Sequence, residues 1–250
     1  MRYAVKFAYD GRNFHGYARQ PNIKTVEGKI IEILENFDII NNPKESLFRS
    51  ASRTDKGVSA ISNVVAFNSD KSKDYIFEKI SKQVNLIIFY AIKEVNDDFN
   101  PRYAKLRQYS YYLKNENLDS KKIISSSRFF TGVHNFTNFA RVEDYKNPFR
   151  TIDNILFTID KKYIIIDFFA QSYLWQQIRR IVSSLIKIEK EKITDKEIID
   201  ALDYPQRRID YGVADPKYLI LKEISYSFDF EIENKNLDKI KNFEEKILNF

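Results

Sequence analysis

The 250-residue chain has no cysteine, which excludes disulfides, thiolate metal sites and cysteine nucleophiles. It has only two histidines, His15 and His134, and these cannot form a multi-histidine zinc site unless several carboxylates join them. Glycine is scarce: of six residues, Gly11, Gly16, Gly28 and Gly57 fall in the first quarter. There is no Gly/Ser linker or low-complexity stretch, so no flexible domain boundary is expected. No apolar run is long enough to cross a bilayer. Met1-Arg2-Tyr3-Ala4-Val5-Lys6 reads directly into a strand and not into a signal peptide. A cytoplasmic protein with no membrane partner is therefore expected.

Hydrophobic residues make up 43% of the chain, enough to bury a core in one large domain or two small ones. The formal charge is +6. A mildly basic surface suits a polyanion, although a lysine-rich solvated surface gives the same balance. The 20 Phe and 16 Tyr can dominate buried area and can also supply stacking platforms for bases.

Periodicity outlines an α/β chain. Tyr3, Val5, Phe7 and Tyr9 alternate with Ala4, Lys6 and Ala8, as in a strand that Asp10-Gly11-Arg12-Asn13 ends. Thr25 is placed to cap a helix over Val26, Ile30, Ile33, Leu34 and Phe37. Short strands follow at 47–51 and 63–68, then a helix marked by Ile76, Ile80 and Val84, then a strand at 87–95. The second half predicts a strand at 107–113, with Arg107, Tyr109 and Tyr111 on one face, and a hairpin of 152–159 with 163–170. An amphipathic helix runs from Leu174 to Ile188, and Thr194 with Glu197 forms a capping box. A last strand is expected at 218–228 and a polar helix at 236–248. Two similar halves are expected, 1–104 and 105–250, sharing a mixed sheet with helices packed on it and a central cleft between them.

The richest segment for chemistry is Ser50-Ala51-Ser52-Arg53-Thr54-Asp55-Lys56-Gly57-Val58. It is a polar loop between two strands, where a rigid scaffold can present a catalytic group. Arg53 and Lys56 flank Asp55 and favour its ionised form, and Gly57 permits a sharp turn. A turn with a surface ion pair would look the same. Asp10 with Asp55 could also suggest a metal nuclease, but no third carboxylate recurs in matching context. Arg12, Lys24, Arg49, Lys56, Arg102, Lys105, Arg107, Arg141 and Arg180 are candidate phosphate contacts, Arg12 foremost.

Arg53-Thr54-Asp55-x-Gly57-Val58 resembles the Arg-Thr-Asp-x-Gly-Val segment of the TruA family of tRNA pseudouridine synthases. Further segments resemble the family in the same order: Tyr9-Asp10-Gly11 with Phe14-His15-Gly16-Tyr17 and Arg19-Gln20, Asp98–Ala104, Arg107-Gln108-Tyr109-Ser110-Tyr111, Asn135–Phe139 and Ser172–Val182. The likeness spans Tyr9 to Leu221 and leaves only the tail from Asp229 to Phe250 without a role, either as a dimer contact or as a cap on the core. It implies a pseudouridine-synthase fold with a mainly antiparallel sheet, no cofactor and no metal, tRNA as partner, and a homodimer acting at positions 38 to 40. It implies roles too: Asp55 as the catalytic carboxylate, Arg53 beside it, Tyr109 against the target uracil, Arg179 paired with the aspartate, and Leu219 lining the pocket. Gly57, Lys56, Arg12 and Arg107 complete the expected substrate contacts. Three positions depart from the family pattern: Ser59 stands where histidine is frequent, Tyr218 where glycine is frequent, and Gln177 where histidine or methionine occurs. A non-catalytic RNA-binding protein on the same scaffold is the alternative.

Overall fold

All eight residues of the first strand, β1 (Arg2–Tyr9), are buried. The sequence alternation of Tyr3, Val5, Phe7 and Tyr9 with smaller residues therefore marks two covered faces, and not one wet and one dry face. The computed structural model describes residues 1–83 and 86–249, and Val84, expected in the second helix, and Phe250, at the end of the tail, lie outside them. From β1 the chain runs through α1 (Val26–Asn36), β2 (Arg49–Ser50), β3 (Ser59–Asn68), α2 (Lys73–Ser81) and β4 (Ile87–Val95). β1 lies between β3 and β4, antiparallel to both, and β2 adds a short antiparallel edge to β3. β3 begins four residues earlier than its sequence pattern suggests. Thr25 caps α1 as expected, accepting from the Gly28 N–H. Lys6, buried in β1, is paired with Glu223 at 2.6 Å.

The chain then continues through β5 (Leu106–Lys114), α3 (Ser120–Ser127), β6 (Gly132–Asn135), β7 (Phe149–Ile152), β8 (Asn154–Ile159), β9 (Tyr163–Ala170), α4 (Gln177–Glu189) and α5 (Asp195–Asp203). β9 is antiparallel to β5 on one side and to β8 on the other. The β8–β9 turn is closed by Asp160, whose carboxylate accepts from the Lys162 and Tyr163 N–H groups. The strand expected over 152–159 is divided at Asp153. Residues before it, in β7, pair with β6, while the Asp153 N–H turns to the Phe169 carbonyl at 2.8 Å. α4 buries Ile178, Ile181, Val182, Leu185 and Ile188 along one stripe and packs against α3. The Thr194–Glu197 capping box opens α5 as predicted.

The final stretch belongs with the beginning of the chain. β10 (Leu219–Ser225) runs parallel to β3, with Ile220 opposite Ser59 and Leu221 opposite Ala60. α6 (Asn234–Leu248) and the segment before it bring Phe230, Ile232, Ile240 and Phe243 onto Ala8, Ile88, Tyr90 and Ala91. Two compact units result: Met1–Lys105 with the segment from Ile220 onward, and Leu106–Leu219. The boundary expected after residue 104 falls one residue later, and residues from 220, expected in the second half, are part of the first unit. The cause is physical: β3 takes β10 as a neighbour, and the β4 face needs the tail's apolar side chains. The tail is thus a cap on the core. β10 stops at Ser225, short of the expected 228; beyond it Tyr226 stacks on Phe228, Phe230 meets Phe228 edge-on, and Phe99 packs against Tyr226 and Phe228.

The fold is mixed α/β, mainly antiparallel, with one parallel pairing among the strands named. Among the described residues no helix is long and apolar enough to cross a membrane. Leu185 is wholly buried in the α4 stripe. Leu185→Ala is therefore expected to lower unfolding free energy by about 2–5 kcal/mol, read as a shift of the urea midpoint at unchanged slope.

Candidate active site

In the first unit the loop from Ala51 to Val58 leaves β2 and enters β3, and it is held at both ends. At its start the Ala51 N–H bonds the Val64 carbonyl at 2.8 Å, and the buried Asn63 amide donates to the Ser52 carbonyl at 2.9 Å. At its end Val58 N–H closes a turn onto the Asp55 carbonyl at 3.1 Å, and Gly57 supplies the left-handed residue at φ 86°. Between them, Thr54 is gripped twice. Its carbonyl accepts from Tyr17 N–H at 3.2 Å, and its hydroxyl meets the Tyr9 hydroxyl at 2.8 Å. Tyr9 is fully buried and packed against Phe14 and Tyr17. Asp55 is left half-buried on a braced loop, with Arg53 and Lys56 exposed on either side.

The bracing segment is the loop after β1. Gly11 N–H donates to the Ser59 hydroxyl at 3.0 Å. A Cβ at Gly11 would overlap the Val58 carbonyl and sit 2.9 Å from the Val58 nitrogen, so only glycine allows the two backbones this close. Arg12, the foremost phosphate candidate, is instead engaged with the Asp10 carboxylate through Nε and Nη2, and Nη1 reaches the Asn249 carbonyl. That hydrogen bond to Asp10 raises the guanidinium above its usual value. Lys24 lies over the Phe14 ring, and Arg49 donates to the Phe48 carbonyl. The backbone N–H groups of Arg102 and Lys105 bond Asn100 and Ser225.

In the second unit Tyr109 stands on β5 opposite Phe168, 8% exposed, with its ring edge-on to Tyr173 at 5.4 Å. The Tyr173 hydroxyl donates to the Arg107 carbonyl, and the Arg107 guanidinium donates to the Gln171 carbonyl. Arg107 is only 6% exposed, so the structure makes it a brace for the 171–176 segment, where a phosphate contact had been expected. Burial, reinforced by Tyr109 and Asp153, pushes the Tyr173 hydroxyl well above its ordinary value.

That segment ends at Gln176, a non-glycine residue at φ 61° and ψ 8°, a conformation that costs on the order of 1–3 kcal/mol. The Gln177 side chain accepts from the Leu174 N–H at 2.8 Å, which tightens the entry into α4. One turn on, Arg179 exchanges bonds with Ala214: Nε donates to the Ala214 carbonyl at 2.7 Å, and the Ala214 N–H returns to the Arg179 carbonyl at 3.1 Å. Tyr111 joins this cluster, donating to the Asp215 carbonyl at 3.2 Å. Its hydroxyl is pushed up by burial and by Asp215, and Arg179 opposes the shift. Leu219 is buried at the head of β10. Arg180 is committed to Asp210 at 2.8 Å; Asp210 is held below the usual carboxylate range first by the Gly212 N–H and then by Arg180.

A family model described as tRNA pseudouridine synthase matches residues 127–227. Across nearly the whole chain, the tRNA pseudouridine synthase A of Thermococcus sibiricus is 36% identical over 250 residues, covering 96% of this chain and 91% of the relative. That of Pyrococcus abyssi is 39% identical over 245 residues with the same coverage, and that of Pyrococcus horikoshii 37% over 257 residues, covering 99% and 95%. The chain belongs to the tRNA pseudouridine synthase A family. Arg179 and Leu219 lie inside the stretch the family model matches; Asp55 and Tyr109 lie outside it, within the length shared with the relatives.

As a family member the chain shows what its departures do. Ser59 anchors Gly11 through its hydroxyl, a positioning task in place of the frequent histidine. Tyr218 packs its ring edge-on to Tyr111 at 6.3 Å. Gln177 ties down Leu174. Among the described residues no group of three or more His, Asp or Glu is arranged to hold a metal ion. Sequence reasoning missed the bracing roles of Tyr9, Tyr17 and Tyr173. For Tyr9 and Tyr17 the available signal was the aromatic spacing around Asp10-Gly11, and it reads equally well as core.

Gly11→Ala is expected to destabilise the first unit by about 1–3 kcal/mol or more through backbone overlap, whereas Ser59→Ala, losing one hydrogen bond, is expected to cost about 1 kcal/mol. Urea unfolding of both variants reads the difference, and equal losses would show that the loop yields to the added methyl group.

Proposed function

We propose that this chain isomerises uridine to pseudouridine in the anticodon stem-loop of tRNA, at positions 38 to 40, with Asp55 as the catalytic carboxylate. The observation that carries this reading is the Asp55 loop itself. A half-buried carboxylate is held between two clamped residues, in a chain alike over nearly its whole length to tRNA pseudouridine synthases A.

The reaction breaks the N1–C1′ bond of uridine, turns the uracil and joins C5 to C1′. Nothing is oxidised and no outside group is transferred, so fixed side chains suffice. An ionised Asp55 serves either by adding covalently to the sugar or base, or by removing the 2′ proton so that a glycal forms. Arg179, by the family likeness, pairs with the carboxylate and aims it, and its two bonds with Ala214, one from Nε and one between backbones, fix the helix turn from which it reaches. A base in a stem is out of reach until flipped, at a cost of a few kcal/mol. Stacking on Tyr109 would return roughly 1–3 kcal/mol, and the Tyr109 hydroxyl would assist removal of the proton from C5. Arg53 and Lys56, exposed beside Asp55, suit phosphate contacts better than Arg12 or Arg107, whose guanidinium groups are engaged within the protein. A homodimer contacting one tRNA through both subunits is part of the same reading.

Tritium release from tRNA carrying 5-tritiated uridine, run with excess chelator, tests it. Wild type is expected to release tritium, and Asp55→Asn to fall by about a thousand-fold or more. Tyr109→Phe, which keeps the ring, is expected to hold KM within about three-fold, and Tyr109→Ala to raise it about ten-fold or more. Tight tRNA binding by wild type without release would instead support the binding-protein alternative.

A further inference from the structure

The chain contains one tryptophan, and it is not in the core: Trp175 is 47% exposed. The Arg141 guanidinium lies 4.4 Å from its ring centroid. The two residues are also bridged by their backbones, Arg141 N–H to the Trp175 carbonyl at 2.8 Å. The left-handed Gln176 turns the chain immediately after Trp175, so the ring orientation is set by the backbone and the cation together.

Resting on the function proposed above, we infer that Trp175 and Arg141 form a stacking platform for an unpaired nucleobase of tRNA next to the target uridine. Single-stranded nucleic acid is bound by an aromatic face beside a positive charge, and a guanidinium held on the ring supplies both. The surroundings fit this partner better than a protein one. Gln171, Ser172, Gln176 and Arg180 are polar or charged neighbours in sequence, whereas the centre of a protein interface is depleted of charge. Position points to a neighbouring base and not to the target. Tyr173, two residues before Trp175, meets the ring of Tyr109, and two residues of extended chain span about 7 Å. When the target leaves its stem, the adjacent base loses a stacking partner, and the indole replaces it. Arg141 is a positioning residue that keeps the ring presented.

Because Trp175 is the single tryptophan, its emission reports this position alone. The Asp55→Asn chain is titrated with tRNA while binding is followed in parallel by gel shift. Quenching of emission and protection from acrylamide are expected, saturating with the bound fraction. In tritium release, Trp175→Ala is expected to raise KM about ten-fold with kcat within about two-fold, and Trp175→Phe to recover most of the loss. Emission unchanged by saturating tRNA overturns the platform even if the Ala variant fails to fold. So does a well-folded Trp175→Ala whose KM stays within about two-fold of wild type. If wild type neither shifts tRNA nor releases tritium, the synthase reading itself fails and takes the platform with it.

Discussion

The close approach of Gly11 to Val58 is the constraint on which the placing of the Asp55 loop depends. A carboxylate useful at a sugar carbon must stay within a fraction of an ångström of its place, and a polar eight-residue loop cannot do that alone. Here the loop borrows rigidity from a fully buried strand. β1 carries Tyr9 and Gly11 to the two sides of Asp55, one holding Thr54 by a hydroxyl and the other lying under Val58. From β3, Asn63 anchors the same loop at Ser52, while Ser59 holds Gly11. The Gly11–Ser59 and Asn63–Ser52 bonds are buried away from solvent, and the Tyr9–Thr54 contact is partly buried.

The second unit uses its cations differently from the way charge alone would suggest. Arg107, Arg179 and Arg180 each spend at least one donor on a carbonyl or carboxylate of their own unit. Arg107 organises the approach to α4, and Arg180 fixes the Asp210–Gly212 bend. A guanidinium has five donors in a fixed fork, and the bond from Nε to the Ala214 carbonyl engages one of those of Arg179.

Much of this was legible beforehand where the cause is local. Thr25 and Thr194 announce their helices because a cap acts within four residues, and Asp160 announces its hairpin for the same reason. The Asp55 loop shows in the sequence because its turn residues sit beside the carboxylate. What escaped were contacts made at a distance. Nothing near Gly11 in the chain announces Val58, 47 residues on, and nothing near β3 announces β10. The fate of Arg12 illustrates the middle ground: Asp10 is two residues away, yet a basic residue in a loop reads as a phosphate ligand until the pair is seen. α3 was missed because Ile123 and Ile124 are the apolar residues it offers among serines and lysines, too few to mark a helix, and it depends on the Asp119 cap and on packing against α4.

The first unit is also split in time. β1, β3 and β4 leave the ribosome early, but β10 and α6 follow only after residues 106–219 have been made, on the order of ten seconds later at ordinary elongation rates. Through that interval Ala8, Ile88, Tyr90 and Ala91 lack the Phe230, Ile232, Ile240 and Phe243 cover. An apolar sheet face waits in water while the second unit, continuous in sequence, is free to fold first. Until the tail is made, that uncovered face is open to the contacts with other chains that exposed apolar surface favours during synthesis.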